Sequence, residues 1–214
     1  MKGARILIAD DHEIVRHGLR RLLEDQPGWQ VCGEAVSGRE AVAKARQLRP
    51  EVAVLDFGMP ELNGAEATRQ ILQESPRTEV LVLTMHDAEQ LVREVLEAGA
   101  RGYVLKSDAS RDLVAAVQAL LAHKTFLSPG VSKLVVEGYL RGSELETPAD
   151  RLTPREREIV QLVAEGKSNK EISVALNISI KTVEAHRSHL MHKLNLSSVS
   201  ELVRYAIRNK IVEA

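Results

Sequence analysis

Rings are scarce in this chain: two Phe, three Tyr and one Trp among 214 residues, 3% in all. That is too few for the stacked aromatic platforms that hold sugars or single-stranded bases. A single cysteine, Cys32, excludes an intramolecular disulfide and a metal cluster built from thiolates alone. It sits in the apolar alternation VCGEAV, where a plain core residue is expected. No apolar run approaches the roughly 20 residues of a membrane span, and the start, MKGARILIADD, lacks a signal-peptide hydrophobic region. A cytoplasmic protein with no membrane partner is therefore expected. Net charge is almost absent too, at −1, but the total hides an asymmetry. Residues 151–214 hold 11 Lys and Arg against 7 Asp and Glu, which leaves 18 against 23 in residues 1–150. Three of the seven histidines, His186, His189 and His192, lie in the basic part. An acidic front and a basic back imply two different partners.

What is present divides the same way. The front alternates short β-prone runs, ARILIAD, VCGEAV, VAVLD, EVLVLT and GYVLK, with amphipathic stretches such as EIVRHGLRRLLED and AEQLVREVLEAGA. Near-continuous apolar strands separated by helices predict a parallel sheet buried on both faces. Five strands and about five helices fill the chain to roughly Lys124. From about Thr125 to Asp150, one short helix gives way to a Gly/Ser/Pro/acidic stretch that reads as a linker. Beyond it no strand is expected. Thr153-Pro154-Arg155-Glu156 and Ser168-Asn169-Lys170-Glu171 both have capping-box spacing. Ser179 is placed to cap a third helix running to Leu194, and Ser198 a fourth. The tight turn at Asn177 makes the middle pair a helix-turn-helix.

Ligands of an open parallel sheet sit beyond the carboxyl ends of its strands. Those ends carry Asp10 and Asp11, Asp56, Thr84 and Lys106. A lone aspartate at a strand end commonly caps a helix or solvates a turn; four strands each contributing a polar group is another matter. Two carboxylates about 4 Å apart repel by roughly 4 kcal/mol at an effective dielectric near 20, so three that converge call for a hard cation. Oxygen donors suit Mg²⁺, which keeps waters and accepts a phosphoryl oxygen. Lys106 and Thr84 add a positive charge and a hydroxyl, and Asp56 then makes sense as a nucleophile forming an aspartyl phosphate. His12 and His17 read as surface or packing residues of the first helix, and Trp29 as a cover for the core. His86, two residues past Thr84, is near enough to tune dephosphorylation.

IADDHEIVRHGL, LDFGMPELNG, VLTMHD and GARGYVLK resemble the receiver domain of two-component response regulators of the NarL/FixJ type. The resemblance implies a flavodoxin-like, doubly wound five-stranded sheet over residues 1–124. It implies Mg²⁺ on the acidic pair, on Asp56 and on the Gly58 backbone carbonyl, with Asp56 phosphorylated by a sensor histidine kinase. Thr84 and Lys106 would read the phosphate, and Tyr103 would change rotamer.

On the third helix of the basic part, a wheel at 100° per residue brings Val183, Leu190 and Leu194 into one buried stripe. The other side presents Lys181, Ala185, Ser188 and His192, flanked by Thr182, Glu184 and His189, a face that can enter the major groove of double-stranded DNA. Glu184 is suited to cytosine N4 and Ala185 to a thymine methyl. Lys181, Thr182, Lys193, Asn169 and Lys170 are expected on phosphates. Arg187 falls on the inner side, from which it could snorkel to a phosphate or pair with an acidic neighbour. LTPREREIVQLVAEGKSNKEISVALNISIKTVEAHRSHLMHKLNL is similar to the LuxR-type helix-turn-helix that follows receivers of this family. The likeness makes the segment from Ile180 to Leu194 the recognition helix of an all-α domain, 151–214, joined by a linker, 125–150. It implies that Val183 and His186 pack on the scaffold helices. It also places a homodimer surface on Leu202, Val203, Tyr205 and Ala206.

The expected function is a phosphorylation-controlled transcription regulator, not an enzyme. Two rivals remain at this point: a Mg²⁺ phosphohydrolase with Asp56 as transient nucleophile, and a receiver that signals only through protein contacts. Against the first, residue 58 is Gly, where such enzymes commonly carry a second acid.

Overall fold

Both faces of β3, Val52–Asp56, are buried along its whole length, and the remaining strands are laid around it. In the computed structural model, which describes residues 3–85, 88–141 and 152–212, β1 (Ala4–Ala9), β2 (Trp29–Ala35), β4 (Glu79–Thr84) and β5 (Gly102–Leu105) join it in the parallel order β2-β1-β3-β4-β5. The five expected strands all form, and a short sixth, β6 (Phe126–Leu127), pairs with β5. Helices α1 (Glu13–Glu24) and α5 (Ala109–Leu121) cover one face. Leu19 and Leu23 of α1 and Leu113, Val117 and Leu120 of α5 join Ile6, Ile8, Val54 and Leu83 there. Helices α2 (Gly38–Leu48), α3 (Gly64–Glu74) and α4 (Glu89–Glu97) cover the other. Leu7, Leu55, Ile71, Val92 and Tyr103 lie in that second layer. A sixth helix, α6 (Pro129–Arg141), follows β6, and its Val131 is buried in the same layer. Burial on two faces is what the unbroken apolar runs require.

Local chemistry sets the helix starts near the strand ends. Ser37 accepts from Glu40 N at the start of α2, and Asn63 accepts from Glu66 N at the start of α3. Gly64 opens α3 against the backbone of the β3 end: a Cβ there would lie 2.5 Å from Asp56 O and 2.8 Å from Phe57 Cα. Only a hydrogen at this position lets α3 approach the strand end. Register completes the arrangement. Ala9 pairs with Leu55, Asp56 with Leu83 and Thr84 with Leu105, so the residues ending β1, β3, β4 and β5 arrive side by side. Between β1 and β3 the chain order reverses, which opens a crevice at their carboxyl ends.

The chain divides into two compact units, Met1–Ser143 and Glu144–Ala214. The second is helical: α7 (Pro154–Ala164), α8 (Asn169–Leu176), α9 (Ile180–Lys193) and α10 (Val199–Arg208). Both expected capping boxes form, on Thr153/Glu156 and Ser168/Glu171. Asn177, at φ 51°, ends α8 in the left-handed region that asparagine tolerates, and Ser179 caps α9 two residues later. Ile159, Ile172, Val183, Leu190, Leu202 and Ala206 form the core of this unit. Among the described residues no helix is long and apolar enough to cross a membrane.

Candidate functional site

The acids after β1 and at the end of β3 meet at Lys106, which directly follows β5. Its ammonium lies 2.8 Å from Asp10 Oδ2 and 2.9 Å from Asp56 Oδ2. Asp10 directly follows β1 and Asp56 ends β3; both are buried, as is Thr84 at the end of β4. Asp11 is more open, and Gly58 lies two residues past Asp56 in the loop to α3. Burial alone would push the Lys106 amine down, but hydrogen bonding to Asp10 and the charge of Asp56 outweigh it and hold the group above the ordinary lysine value. The lysine is thus firmly charged at neutral pH, and its contribution to stability fades only as alkaline pH rises through that elevated value.

One ammonium cannot neutralise three carboxylates. Oxygens of Asp10, Asp11 and Asp56, together with a nitrogen of His12, all lie within 4.8 Å of one another. Oxygen-rich donors with surplus negative charge fit a hard divalent cation. His12, expected as a surface or packing residue of the first helix, is exposed and stands at the helix start, its backbone N–H donating to Asp10 Oδ1 at 2.9 Å and its Nδ1 2.8 Å from Asp11 Oδ1. A second residue that pattern reading did not pick out is Arg16, whose Nη1 donates to the Asp10 carbonyl at 2.9 Å. A helical wheel shows neither contact, since both depend on how the loop turns after β1. His17 is exposed, and Trp29 is half-buried against the α1/α5 layer. Tyr103 is wholly buried. His86 lies outside the described residues.

In the second unit, Lys181, Thr182, Glu184, Ala185, Ser188, His189 and His192 are exposed on α9, while Val183 and Leu190 are buried beneath and His186 is half-buried. Lys170 is exposed at the start of α8. Two residues expected on DNA phosphates also bond within the unit. Lys193 Nζ donates to Glu156 Oε2 at 2.7 Å, and Asn169 Oδ1 accepts from Arg187 Nη1. That last bond accounts for the inward Arg187: it ties α9 to the start of α8. Burial would raise the Glu156 carboxyl, but hydrogen bonds from Lys193 and from the Thr153 backbone hold it below the ordinary value. Lys193→Met, which keeps the stem and removes the charge, should cost about 1–3 kcal/mol by stripping a donor from a largely buried carboxylate. Faster amide hydrogen exchange along α9 is the readout; unchanged exchange would mean that the pair does not seat the helix. On α10, Leu202 and Ala206 are buried in the unit's own core, whereas Val203 and Tyr205 are half-buried at its margin.

Comparison with known proteins matches both units. Residues 6–118 match the response regulator receiver domain, and residues 150–206 match the bacterial regulatory proteins of the luxR family. The oxygen regulatory protein NreC of Staphylococcus carnosus is 39% identical over 215 residues, covering 98% of this chain and 99% of that protein. Among solved structures, two RcsB dimers bound to two parallel DNAs show 31% identity and a TM-score of 0.59 over 95% of this chain and 98% of that one. RcsB from Salmonella enterica serovar Typhimurium, bound to a promoter in the presence of the phosphomimetic BeF3⁻, shows 31% identity and a TM-score of 0.64 over the same shares.

Proposed function

This chain belongs to the response regulators that join a receiver domain to a LuxR-family DNA-binding domain, and from that premise we propose that Asp56 accepts a phosphoryl group from a sensor histidine kinase. The protein is a phosphorylation-dependent DNA-binding transcription regulator and not a catalytic enzyme, which sets aside the phosphohydrolase and protein-contact readings. The observation that carries the proposal is the Lys106 ammonium, 2.8 Å from Asp10 and 2.9 Å from Asp56.

An Asp56 carboxylate oxygen attacks the phosphorus of a phosphorylated histidine; the O–P bond forms as the P–N bond breaks, the bonding pair stays on that ring nitrogen, and the imidazole leaves neutral with the proton its other nitrogen already carried. Asp10, Asp11, Asp56 and the Gly58 carbonyl would hold Mg²⁺, which supplies charge neutralisation for the phosphoryl oxygens when bound. Lys106 supplies the protein's own cation, already aimed at the Asp56 carboxylate. Thr84, buried on the adjacent strand end, offers its hydroxyl to a phosphoryl oxygen, and Tyr103 repacks as Thr84 moves.

We take residues 1–124 as the receiver and 151–214 as the DNA-binding domain; within 125–150, β6 and α6 extend the first unit, β6 by pairing with β5 and α6 by burying Val131 in its core. Lys181, Thr182 and Lys170 hold phosphates, and Glu184, Ala185 and Ser188 face bases. Asn169 and Lys193 serve the interface by seating α9 through Arg187 and Glu156. Phosphorylation favours a homodimer in which Val203 and Tyr205 offer surface to the second copy while Leu202 and Ala206 hold α10 from beneath. Gel-shift titration against DNA selected from a random pool tests this reading. Acetyl phosphate with Mg²⁺ should tighten binding, and equal binding with and without them would overturn control through Asp56.

A further inference from the structure

Asp10 is tied to its neighbours at every polar atom of its main chain. Its N–H donates to the Ala35 carbonyl of β2 at 3.2 Å, and its carbonyl accepts from Arg16 Nη1 at 2.9 Å. The same guanidinium turns its Nε to Glu34 Oε2 at 3.3 Å, and Glu34 Oε1 accepts from Arg20 Nε at 2.6 Å. Lys44 Nζ bonds the Glu34 carbonyl, drawing α2 into the set. Arg16 is no loose surface residue: only 13% of its side chain is exposed. Burial would raise the Glu34 carboxyl, but hydrogen bonds and charge from Arg20 and Arg16 overcome it and hold it below the ordinary value.

The carbonyl that Arg16 grips belongs to the peptide joining Asp10 to Asp11. The orientation of that peptide plane decides where the Asp11 carboxylate points, and the two acids would splay if left to their mutual repulsion. A planar fork with one arm on the carbonyl and another on Glu34 of the next strand sets that plane against the sheet. We infer that Arg16 is a positioning residue: through the Asp10 carbonyl and Glu34 it holds the Asp10-Asp11 peptide in the orientation that gathers the acidic pair around a divalent cation. This rests on the reading of the pocket as a Mg²⁺ site.

Charge and geometry make opposite demands here, so the test has a sign. Deleting a cation near the pocket would, by Coulomb's law alone, tighten Mg²⁺; releasing the peptide weakens it. Groups that orient metal ligands typically change affinity by about 10–100-fold. In the full-length chain, the thermal midpoint is measured in EDTA and then against increasing Mg²⁺ for wild type, Arg16→Met and Arg16→Lys. The expected result is a midpoint rise that needs about tenfold more Mg²⁺ in Arg16→Met, with a smaller weakening in Arg16→Lys, which keeps the charge but loses the fork. A purely structural role would lower the EDTA midpoint and leave the Mg²⁺ dependence in place, overturning the inference; tighter binding would do the same. If Arg16→Met gives no cooperative transition, Arg16→Lys decides, and Mg²⁺ affinity equal to wild type rejects the role. A wild-type chain that does not respond to Mg²⁺ removes the reading of the pocket and this inference together, whereas a wild type that responds and variants that respond equally remove only the role of Arg16.

Discussion

Asp56→Asn should abolish labelling of the full-length chain by acetyl phosphate while leaving it folded. The amide is nearly isosteric, so the packing at the end of β3 survives, but its oxygen has no negative charge with which to attack phosphorus. Lys106 keeps Asp10 as partner, since its ammonium lies 2.8 Å from Asp10 Oδ2 as well as 2.9 Å from Asp56 Oδ2. Removing one of three clustered carboxylates also relieves repulsion. The metal-free variant should therefore unfold no earlier than wild type, which separates lost chemistry from lost structure. Undiminished, Mg²⁺-dependent labelling of Asp56→Asn would discard Asp56 as the acceptor. Lys106→Met should fail differently. It keeps the nucleophile but leaves the buried carboxylates and the incoming phosphoryl charge without the protein's own cation, so the metal-free chain should lose stability and labelling should slow rather than vanish.

How much of this was legible beforehand follows from the range of the interactions. Strands β1, β3, β4 and β5 announce themselves by nearly continuous apolar runs, the edge strand β2 by its apolar alternation, and α7 to α10 because Thr153, Ser168, Ser179 and Ser198 cap them within three residues. Asp10, Asp11, Asp56, Thr84 and Lys106 could be grouped because each ends a readable strand. β6 was not legible: two residues, Phe126 and Leu127, carry no period, and only the free edge of β5 makes them a strand. Arg16 and Glu34 are 18 positions apart, and nothing in an amphipathic helix marks which of its arginines turns toward the sheet. The same holds in the second unit. Lys193 and Asn169 look like phosphate contacts on a wheel, and only the packing of α9 on α7 and α8 shows that Lys193 also bonds Glu156 and that Asn169 also accepts from Arg187.

That packing sharpens the second large effect, the salt dependence of DNA binding. With Lys193 held by Glu156, the exposed lysines of this face among the described residues are Lys170 and Lys181, two per copy and about four in a dimer. Each neutralised phosphate contributes a slope of about −0.9 in log affinity against log salt, so the expected slope is about −3.6 and affinity should fall roughly 10²-fold between 50 and 200 mM salt. Lys181→Ala in both copies should halve that slope and weaken every sequence alike. Glu184→Ala should act the other way: removing an anion from the face leaves the slope at least as steep, while discrimination of one base pair falls by about 1–3 kcal/mol. Fluorescence anisotropy on selected and scrambled duplexes at four salt concentrations separates the two. A slope near zero would remove α9 from the DNA backbone. A Lys181→Ala chain that loses one base preference while keeping the wild-type slope would exchange the roles assigned to positions 181 and 184, because a contact that reads a base changes the ratio between sequences, whereas a contact that releases counterions changes the response to salt.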